Sequence, residues 1–155
     1  MHYWLMKTEP GCFSIDDLAM APNRTTSWDG VRNFQARNFM RDQMSSGDLV
    51  LFYHSVTDPG VAGIARVAGE SRPDHTAWDP ADRHYDPRST PGKPLWFMVD
   101  VQFVEKFEEP VPLAVLRGIK ELEGMELLRK GSRLSVMPVT EAQFSIIRAL
   151  GRCQE

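Results

Sequence analysis

A segment near the amino terminus combines side chains that can stack on a planar ligand with side chains that can read its edge. The segment is Trp28-Asp-Gly-Val-Arg-Asn-Phe-Gln-Ala-Arg-Asn38. The indole of Trp28 offers a flat apolar face, and the amides of Asn33 and Gln35 both donate and accept hydrogen bonds. A guanidinium fork such as that of Arg32 suits the geometry of a phosphate. This combination predicts a binding site for a nucleobase on a phosphate backbone.

Each of these side chains also has a purely structural alternative. A tryptophan in a turn before a helix can fill the core, so Trp28 is either a stacking surface or a core residue. Asn33 and Gln35 can satisfy backbone groups at the start of a helix, and Arg32 can be solvated at the surface. The residue types leave these alternatives open.

A second set of candidates lies at the ends of apolar segments. The run Leu49-Val-Leu-Phe-Tyr53 is typical of a strand that is buried on both faces, and His54 and Ser55 follow it directly. Polar side chains at the end of a core strand can reach a ligand, although a histidine there is often a hydrogen-bonded structural residue. The other candidates for the pocket or its rim are Lys7, Tyr53, Arg129, Arg133 and Ser135.

Size and composition are those of an ordinary globular domain. The chain has 155 residues, of which 42% are hydrophobic and 25% charged, and its formal net charge is −3. This length predicts one domain over residues 1–155 with a single core. The negative charge argues against bulk electrostatic coating of duplex DNA but allows a local basic pocket.

The sequence contains no apolar run approaching the roughly 20 residues that span a bilayer, and no basic region precedes a long apolar segment at the N-terminus. We therefore expect a cytoplasmic protein without membrane contacts, and a monomer is favoured. Cys12 and Cys153 form no CxxC pair, so we expect no structural zinc, no other metal and no cofactor. Each cysteine is interpreted as a small, partly buried hydrophobe.

Periodicity and turn signals predict the elements that position these residues. Strands are expected at 2–6, 49–53, 61–67, 95–104 and 134–139, with Trp4 and Trp96 in the core. Short helices are expected at 15–18, 31–44, 113–128 (interrupted by glycines) and 143–150. Candidate capping boxes are formed by Ser14 with Asp17 and by Thr140 with Gln143.

Two of these elements carry more detailed expectations. A helix over 31–44 would bury one face made of Val31, Phe34, Phe39, Met40 and Met44. Residues 72–94 hold five prolines and little periodicity, which is typical of a functional or mobile loop. Strands and helices do not alternate regularly, so the pattern predicts an α+β protein built on a small, mixed, curved sheet or barrel.

Several runs together resemble the EVE domain family in order and spacing, from residue 3 to about residue 148. The runs are Trp4-Leu-Met-Lys-Thr-Glu-Pro10, the Trp28–Asn38 segment, Gly47-Asp-Leu-Val-Leu-Phe-Tyr-His-Ser55, Gly63-Ile-Ala65, Trp96-Phe-Met-Val-Asp-Val101 and Leu134-Ser-Val-Met-Pro-Val139. The resemblance implies a PUA-like small mixed β-barrel of five to six strands with short flanking helices. It also implies kinship with YTH domains, which hold a methylated base in an aromatic cage.

The resemblance implies a reader of modified bases, notably modified cytosines in DNA, with some relatives linked to RNA. Many relatives have Tyr where this chain has Phe34 and Ser where it has Thr8, so a polar contact expected at Phe34 is in doubt. The absence of a long basic tail fits a bacterial protein.

Three functions are therefore considered. The first is a non-enzymatic module that inserts a modified base of DNA or RNA between Trp28 and the strand end at His54 and Ser55. The second resembles amidohydrolases of other PUA-like branches, with Lys7, Thr8 and Glu9 as catalytic types; strand alternation places Thr8 on the face opposite Lys7, which argues against it. The third is a pocket for a small anionic ligand.

Overall fold

The computed structural model describes residues 1–152, so Cys153 lies outside the described residues. Within them the strands are β1 Tyr3–Thr8, β2 Thr25–Ser27, β3 Leu49–His54, β4 Gly60–Val67, β5 Arg72–Pro73, β6 Phe97–Met98, β7 Asp100–Pro112 and β8 Val136–Val139. The α-helices are α1 Ile15–Met20, α2 Phe34–Asn38, α3 Leu113–Arg117 and α4 Glu141–Arg152. Single 3-10 turns cover Pro22–Arg24, His75–Trp78, Lys120–Leu122 and Glu126–Leu128, and a π-helical turn covers Phe39–Gln43.

Six strands form one mixed sheet in the order β2-β7-β4-β3-β1-β8, which curves into a half-barrel. The pair β1–β3 is parallel, and the other neighbouring pairs are antiparallel. Strands β5 and β6 form a separate two-stranded sheet. The predicted α+β, PUA-like fold with five to six main strands and short helices is confirmed.

The parallel pair carries the centre of the core and sets the position of the site. Leu5, Leu51 and Phe52 have no exposed surface, as continuous apolar runs predict for strands covered on both faces. Because the two strands run in the same direction, their carboxyl ends meet at one edge. Lys7 there lies opposite Tyr53, and Thr8 lies opposite His54.

Both predicted capping boxes are present, and they fix where α1 and α4 begin. The Ser14 hydroxyl accepts from the backbone N–H of Asp17 at 3.1 Å, and the Asp17 carboxylate accepts from that of Ser14 at 2.8 Å. Thr140 and Gln143 make the same reciprocal pair at 3.0 and 2.9 Å. Each box satisfies two N–H groups that have no partner within the helix.

The prediction of one helix over 31–44 was wrong in its length and in one buried residue. The Asn33 side chain caps the helix by accepting from Ala36 N–H at 2.9 Å, so α2 begins at Phe34. Phe34 is 48% exposed and stacks on Trp96, with ring centroids 4.8 Å apart. The π-helical turn that follows changes the angular spacing, and Met40 and Met44 are nevertheless buried as predicted.

The predicted strand over 95–104 is in fact interrupted. Phe97 and Met98 pair with β5 in the small sheet, and β7 starts only at Asp100. Trp96 is buried as expected but precedes the strand. Strand β7 also continues past Pro110 to Pro112, because Pro110 falls where the β4–β7 register is interrupted and its missing N–H breaks no ladder bond.

Residues 72–94, predicted as a long loop, contain β5 and a 3-10 turn and are otherwise held by four aspartates. Each carboxylate accepts a hydrogen bond from the backbone N–H two residues further on, at 2.8 to 3.0 Å. These Asx turns are centred on Asp74, Asp79, Asp82 and Asp86. The loop is therefore defined by local hydrogen bonds although it has little regular structure.

Cys12 is exposed, whereas a partly buried hydrophobe was expected. It is exposed because it lies in the turn between β1 and α1.

Over residues 1–152, none of the helices combines the length and the apolar character that crossing a bilayer requires.

Candidate functional site

A cavity of about 330 Å³ opens beside Trp28, and we call it the main cavity. Ten residues line it: Lys7, Thr8, Cys12, Phe13, Thr26, Ser27, Trp28, Asp29, Arg83 and His84. They come from the end of β1 and the turn after it, from β2 and the residues that follow it, and from the 72–94 loop. Three separate parts of the chain therefore build this cavity.

Trp28 is at once a core residue and a cavity wall. Its backbone N–H donates to the Val99 carbonyl at 2.7 Å, and its ring meets Phe52 edge to face with centroids 5.5 Å apart. Only 8% of its surface remains exposed, and that remainder faces the main cavity. Trp28 is thus a core residue that also lines the main cavity, and its role as a stacking surface stays a prediction. Phe13 adds a second apolar lining residue.

Two ionisable side chains in the main cavity are partly desolvated. Burial raises the pKa of Asp29, and the nearby Asp74 raises it further. Within residues 1–152 the Asp29 carboxylate has no hydrogen-bond partner, although the charges of His84 and Arg32 act on its pKa in the opposite direction. Burial lowers the pKa of Lys7, while Glu126 acts in the opposite direction. The cavity therefore offers an acceptor at Asp29 and a donor at Lys7, both less hydrated than at an open surface.

The wall formed by the 72–94 loop is fastened to the Trp28 segment by Arg32. The guanidinium donates to the His84 carbonyl at 2.7 and 3.2 Å and to the buried Asp74 carboxylate at 3.0 Å. Asp74 also accepts from Gly30 N–H at 2.8 Å and from Thr76. Burial alone would raise the pKa of Asp74, but these hydrogen bonds hold it below its usual value.

Gly30 makes close packing of the two segments possible. It has a φ of +77°, which favours glycine, and a Cβ at this position would lie 2.6 Å from the His84 ring. The His84 ring therefore lies directly over the Gly30 backbone, and any larger residue at position 30 would displace that ring.

A second, smaller cavity of about 270 Å³ adjoins the main cavity, and we call it the side cavity. Seven residues line it: Arg32, Arg83, His84, Tyr85, Asp86, Arg88 and Trp96. Arg83 and His84 line both cavities. The rim shared by the two spaces is therefore cationic and comes from the loop.

The structure brings Lys7 and Trp28, two of the predicted site residues, into the main cavity. Tyr53 is buried behind Lys7, whose Nζ lies 5.7 Å from the centre of the tyrosine ring. Arg32 lies behind the loop and lines the side cavity. Their roles in binding a ligand stay predictions.

The amide residues occupy other positions. Asn33 uses its side chain to cap α2, which is the structural alternative that the sequence left open. Gln35 is exposed in the first turn of α2. Neither side chain lines the main cavity.

The strand-end residues act mainly through structural hydrogen bonds. His54 Nε2 accepts from Ile15 N–H at 3.0 Å, which fixes the start of α1, and burial lowers the pKa of His54. Ser55 N–H donates to the Thr8 carbonyl at 2.9 Å, and the Ser135 carbonyl accepts from Lys7 N–H at 2.8 Å. These contacts hold the end of β1, and with it Lys7, in place.

The late arginines lie at the surface and outside both cavities. Arg129 is within 3.5 Å of the Glu126 carboxylate, and Arg133 is exposed. A phosphate role for either one stays a prediction.

Sequence reasoning missed most of the polar lining of the main cavity. Thr8 lines it together with Lys7, which it follows at the end of β1. The expectation that strand alternation separates their two side chains stays a prediction. Asp29 could have been found from its position next to Trp28. Arg83 and His84 gave no signal, because only the folded loop brings them there.

Comparisons with known proteins agree with this architecture. The sequence model of the EVE domain matches residues 2–150. Human thymocyte nuclear protein 1 is 42% identical over 166 residues, which cover 96% of this chain and 73% of that protein. A crystal structure of a Pseudomonas syringae protein has a TM-score of 0.91 at 47% identity, covering 96% of this chain and 99% of that chain.

A crystal structure of human THYN1 protein in complex with 5-methylcytosine-containing DNA has a TM-score of 0.92 and 40% identity, and the match covers 100% of both chains. The elements that build the main cavity lie within the residues that the family model matches. The chain belongs to the EVE domain family.

Proposed function

We propose that this protein is a non-enzymatic reader that binds DNA and holds a modified cytosine in the main cavity. The observation that carries the proposal is the cavity itself, which is lined by Trp28, by Lys7 and by Asp29, whose carboxylate has no hydrogen-bond partner within residues 1–152. The relative solved with 5-methylcytosine-containing DNA supports cytosine as the base.

The size of the main cavity suits one base. Ligand pockets run from about 300 to 1,000 Å³, and the 330 Å³ of this one is near the lower limit. A base taken out of the stack needs an apolar surface and groups that read its edge. Trp28 and Phe13 supply the surface, and stacking contributes about 1–3 kcal/mol per base.

The polar lining suits the edge of cytosine. A carboxylate accepts a hydrogen bond from the exocyclic amine of cytosine, and Asp29 is the free carboxylate of the cavity. Lys7 and Thr8 can donate to the ring carbonyl oxygen, which accepts. A methyl group on the base would be worth about 0.8 kcal/mol if it were buried against Trp28 or Phe13, so the preference for modified over unmodified cytosine is expected to be severalfold.

The test is binding of labelled single-stranded and duplex oligonucleotides that differ only in one base: cytosine, 5-methylcytosine or thymine. Fluorescence anisotropy should show the tightest binding with 5-methylcytosine. Asp29→Asn should weaken binding of both cytosines, whereas Asp58→Asn, an exposed matched change outside the main cavity, should have no effect. RNA versions of the same oligonucleotides show whether the partner is DNA alone.

Equal affinity for all three bases, together with an unaffected Asp29→Asn variant, would reject the proposal. Trp28→Phe, which keeps an aromatic ring in a largely buried position, adds a second readout. It should reduce affinity while the unfolding transition stays cooperative.

A hydrolase acting on acylated nucleosides is a second candidate, because Lys7 and Thr8 line the same cavity. Burial lowers the pKa of Lys7, which makes a neutral amine more accessible as a base. Within residues 1–152, however, the Thr8 hydroxyl donates its one hydrogen bond to the Glu9 carbonyl, at 3.5 Å, and makes none to Lys7. Incubation with N4-acetylcytidine followed by mass spectrometry would reveal turnover, and its loss in Lys7→Ala would favour this candidate over the reader.

A further inference from the structure

The two cavities are adjacent and share a cationic rim. Arg83 and His84 line both of them. The His84 backbone is held by Arg32, and its N–H donates to Asp82 at 2.8 Å. The position of the rim is therefore defined by hydrogen bonds made by the backbone, which leaves the side chain of Arg83 free.

Arg83 is the available cation of this rim. It is exposed, and within residues 1–152 its guanidinium makes no hydrogen bond or ion pair. The other two arginines of the side cavity are engaged, since Arg32 binds Asp74 and Arg88 binds Asp86 at 2.9 Å. An anion that bridges the cavities would therefore meet Arg83 first.

The acidic residues of the loop do not compete for that guanidinium. Asp79, Asp82 and Asp86 each accept a backbone N–H in an Asx turn. The Asp86 carboxylate also accepts hydrogen bonds from the Arg88 guanidinium and the Trp96 indole, and these bonds hold the pKa of Asp86 far below the usual range. The loop carries four aspartates, and its exposed Arg83 still has no ion-pair partner among residues 1–152.

Beyond Arg83 the side cavity offers an aromatic surface. Tyr85 lines it and is 41% exposed. A phenol ring can stack on a base or pack against a sugar, and its hydroxyl can donate to a phosphate. Arg83 thus lines both cavities, whereas Tyr85 lines only the side cavity.

We propose that the side cavity holds the nucleotide adjacent to the base in the main cavity, with Arg83 on the phosphate that links the two and Tyr85 against the neighbouring sugar or base. This inference rests on the proposed function of the main cavity. It makes the ligand a dinucleotide step and not an isolated base. A guanidinium fork suits a phosphodiester, and stacking on Tyr85 is tolerant of base identity, so the neighbouring nucleotide should add affinity with little sequence preference.

The experiment compares three kinds of ligand by calorimetry: 5-methyl-2′-deoxycytidine, the two dinucleotides that carry this nucleotide with a neighbour on its 5′ or 3′ side, and a dinucleotide whose neighbour is abasic. The wild-type protein should bind one of the two dinucleotides about tenfold more tightly than the nucleoside, the effect of one charge-assisted hydrogen bond. The abasic neighbour should retain the part of that gain that comes from the phosphate.

Variants divide the gain between the two residues. Arg83→Ala should reduce the ratio of dinucleotide to nucleoside affinity and lower the salt slope of single-strand binding by about 0.7. Tyr85→Ala should remove the difference in affinity between the dinucleotides with a normal and an abasic neighbour. Nucleoside binding should stay within about twofold, because Tyr85 lines the side cavity and not the main cavity. Lys120→Ala is the control for loss of one exposed charge outside both cavities, and it should leave the ratio unchanged.

Outcomes separate this inference from the function on which it rests. Nucleoside binding without any gain from either neighbour would overturn the side-cavity assignment and leave the reader intact. A gain that survives both Arg83→Ala and Tyr85→Ala would also overturn it. Failure of the wild-type protein to bind the nucleoside and every oligonucleotide would reject the proposed function and this inference with it.

Discussion

The Arg32 guanidinium donates to the carbonyl oxygen of His84 at 2.7 Å. Through this bond the segment that carries Trp28 holds the loop that forms the opposite side of the main cavity. The arginine is itself oriented by Asp74, which has no exposed surface. A residue whose type suggests phosphate binding thus has a positioning role that its sequence context does not reveal.

Replacing Arg32 should therefore loosen the loop and not remove a phosphate contact. In Arg32→Lys one ammonium cannot serve both Asp74 and the His84 carbonyl in the planar geometry of the fork. We expect faster hydrogen exchange of the amides in 79–88 and weaker oligonucleotide binding with an unchanged salt slope. A slope lower by about 0.7 with unchanged exchange would instead make Arg32 a direct phosphate contact.

Gly30→Ala should lower stability and binding more than Gly47→Ala, although both substitutions introduce the same type of backbone strain. Gly30 and Gly47 both have positive φ, at +77° and +96°, but an added Cβ meets His84 only at Gly30. Gly47→Ala should cost about 1–2 kcal/mol of stability, the value of left-handed strain, and leave binding unchanged. Gly30→Ala should cost more and weaken binding, because His84 must move. Equal effects of the two variants in urea unfolding and in anisotropy would contradict this.

Stability should fall on acidification partly through His54. Its Nε2 accepts from Ile15 N–H only while the ring is neutral, and burial lowers the pKa of His54 from its usual 6.5. A lowered folded-state pKa contributes stability that is present above the unfolded value and lost as pH falls through the folded value.

His54→Ala should cost about 0.5–1.5 kcal/mol near neutral pH, the net value of one hydrogen bond, and should reduce the loss on acidification. Urea unfolding from about pH 8 to pH 5 measures both effects. His75→Ala, at an exposed histidine, is the control. If acidification lowers the stability of wild type and of His54→Ala by the same amount, groups other than His54 cause that loss.

When the pH is lowered, binding of cytosine should start to weaken at a higher pH than it would if Asp29 had the pKa of an ordinary aspartate. Burial, and then Asp74, raise the pKa of Asp29, and the protonated oxygen no longer accepts a hydrogen bond from the base amine. As pH is lowered through this raised pKa, affinity should fall in the wild type and stay flat in Asp29→Asn. Circular dichroism at each pH confirms that the fold persists. A fall of equal size in both proteins would place the titrating group elsewhere.

The central strands and the capping boxes of α1 and α4 could be predicted because local rules decide them, whereas β2 was not predicted and α2 begins later than expected. Continuous apolar runs indicated β1, β3 and β4, and two capping boxes located the starts of α1 and α4. Strand β7 was harder, since Pro110 normally ends a strand and is tolerated here only because the pairing with β4 is interrupted beside it. That interruption is a property of two strands and is not encoded by either one alone.

The site was less predictable for the same reason. Lys7 and Trp28 could be selected by type and position. Asn33 and His54 were equally plausible by type, but their side chains accept hydrogen bonds from backbone N–H groups at the starts of α2 and α1. Arg83 has no distinguishing neighbour in the sequence. Its exposure follows from aspartates that are occupied by backbone N–H groups, and that occupancy exists only in the folded loop.

Strand β1 lies between β3 and β8 and pairs with both. The Lys7 end of the cavity is thus held on one side by residues near position 50 and on the other by residues near position 135. A growing polypeptide emerging from the ribosome carries Lys7 long before Ser135 has been translated. Ligand recognition should therefore begin only late in synthesis, and chains that stall before β8 would lack a finished binding surface.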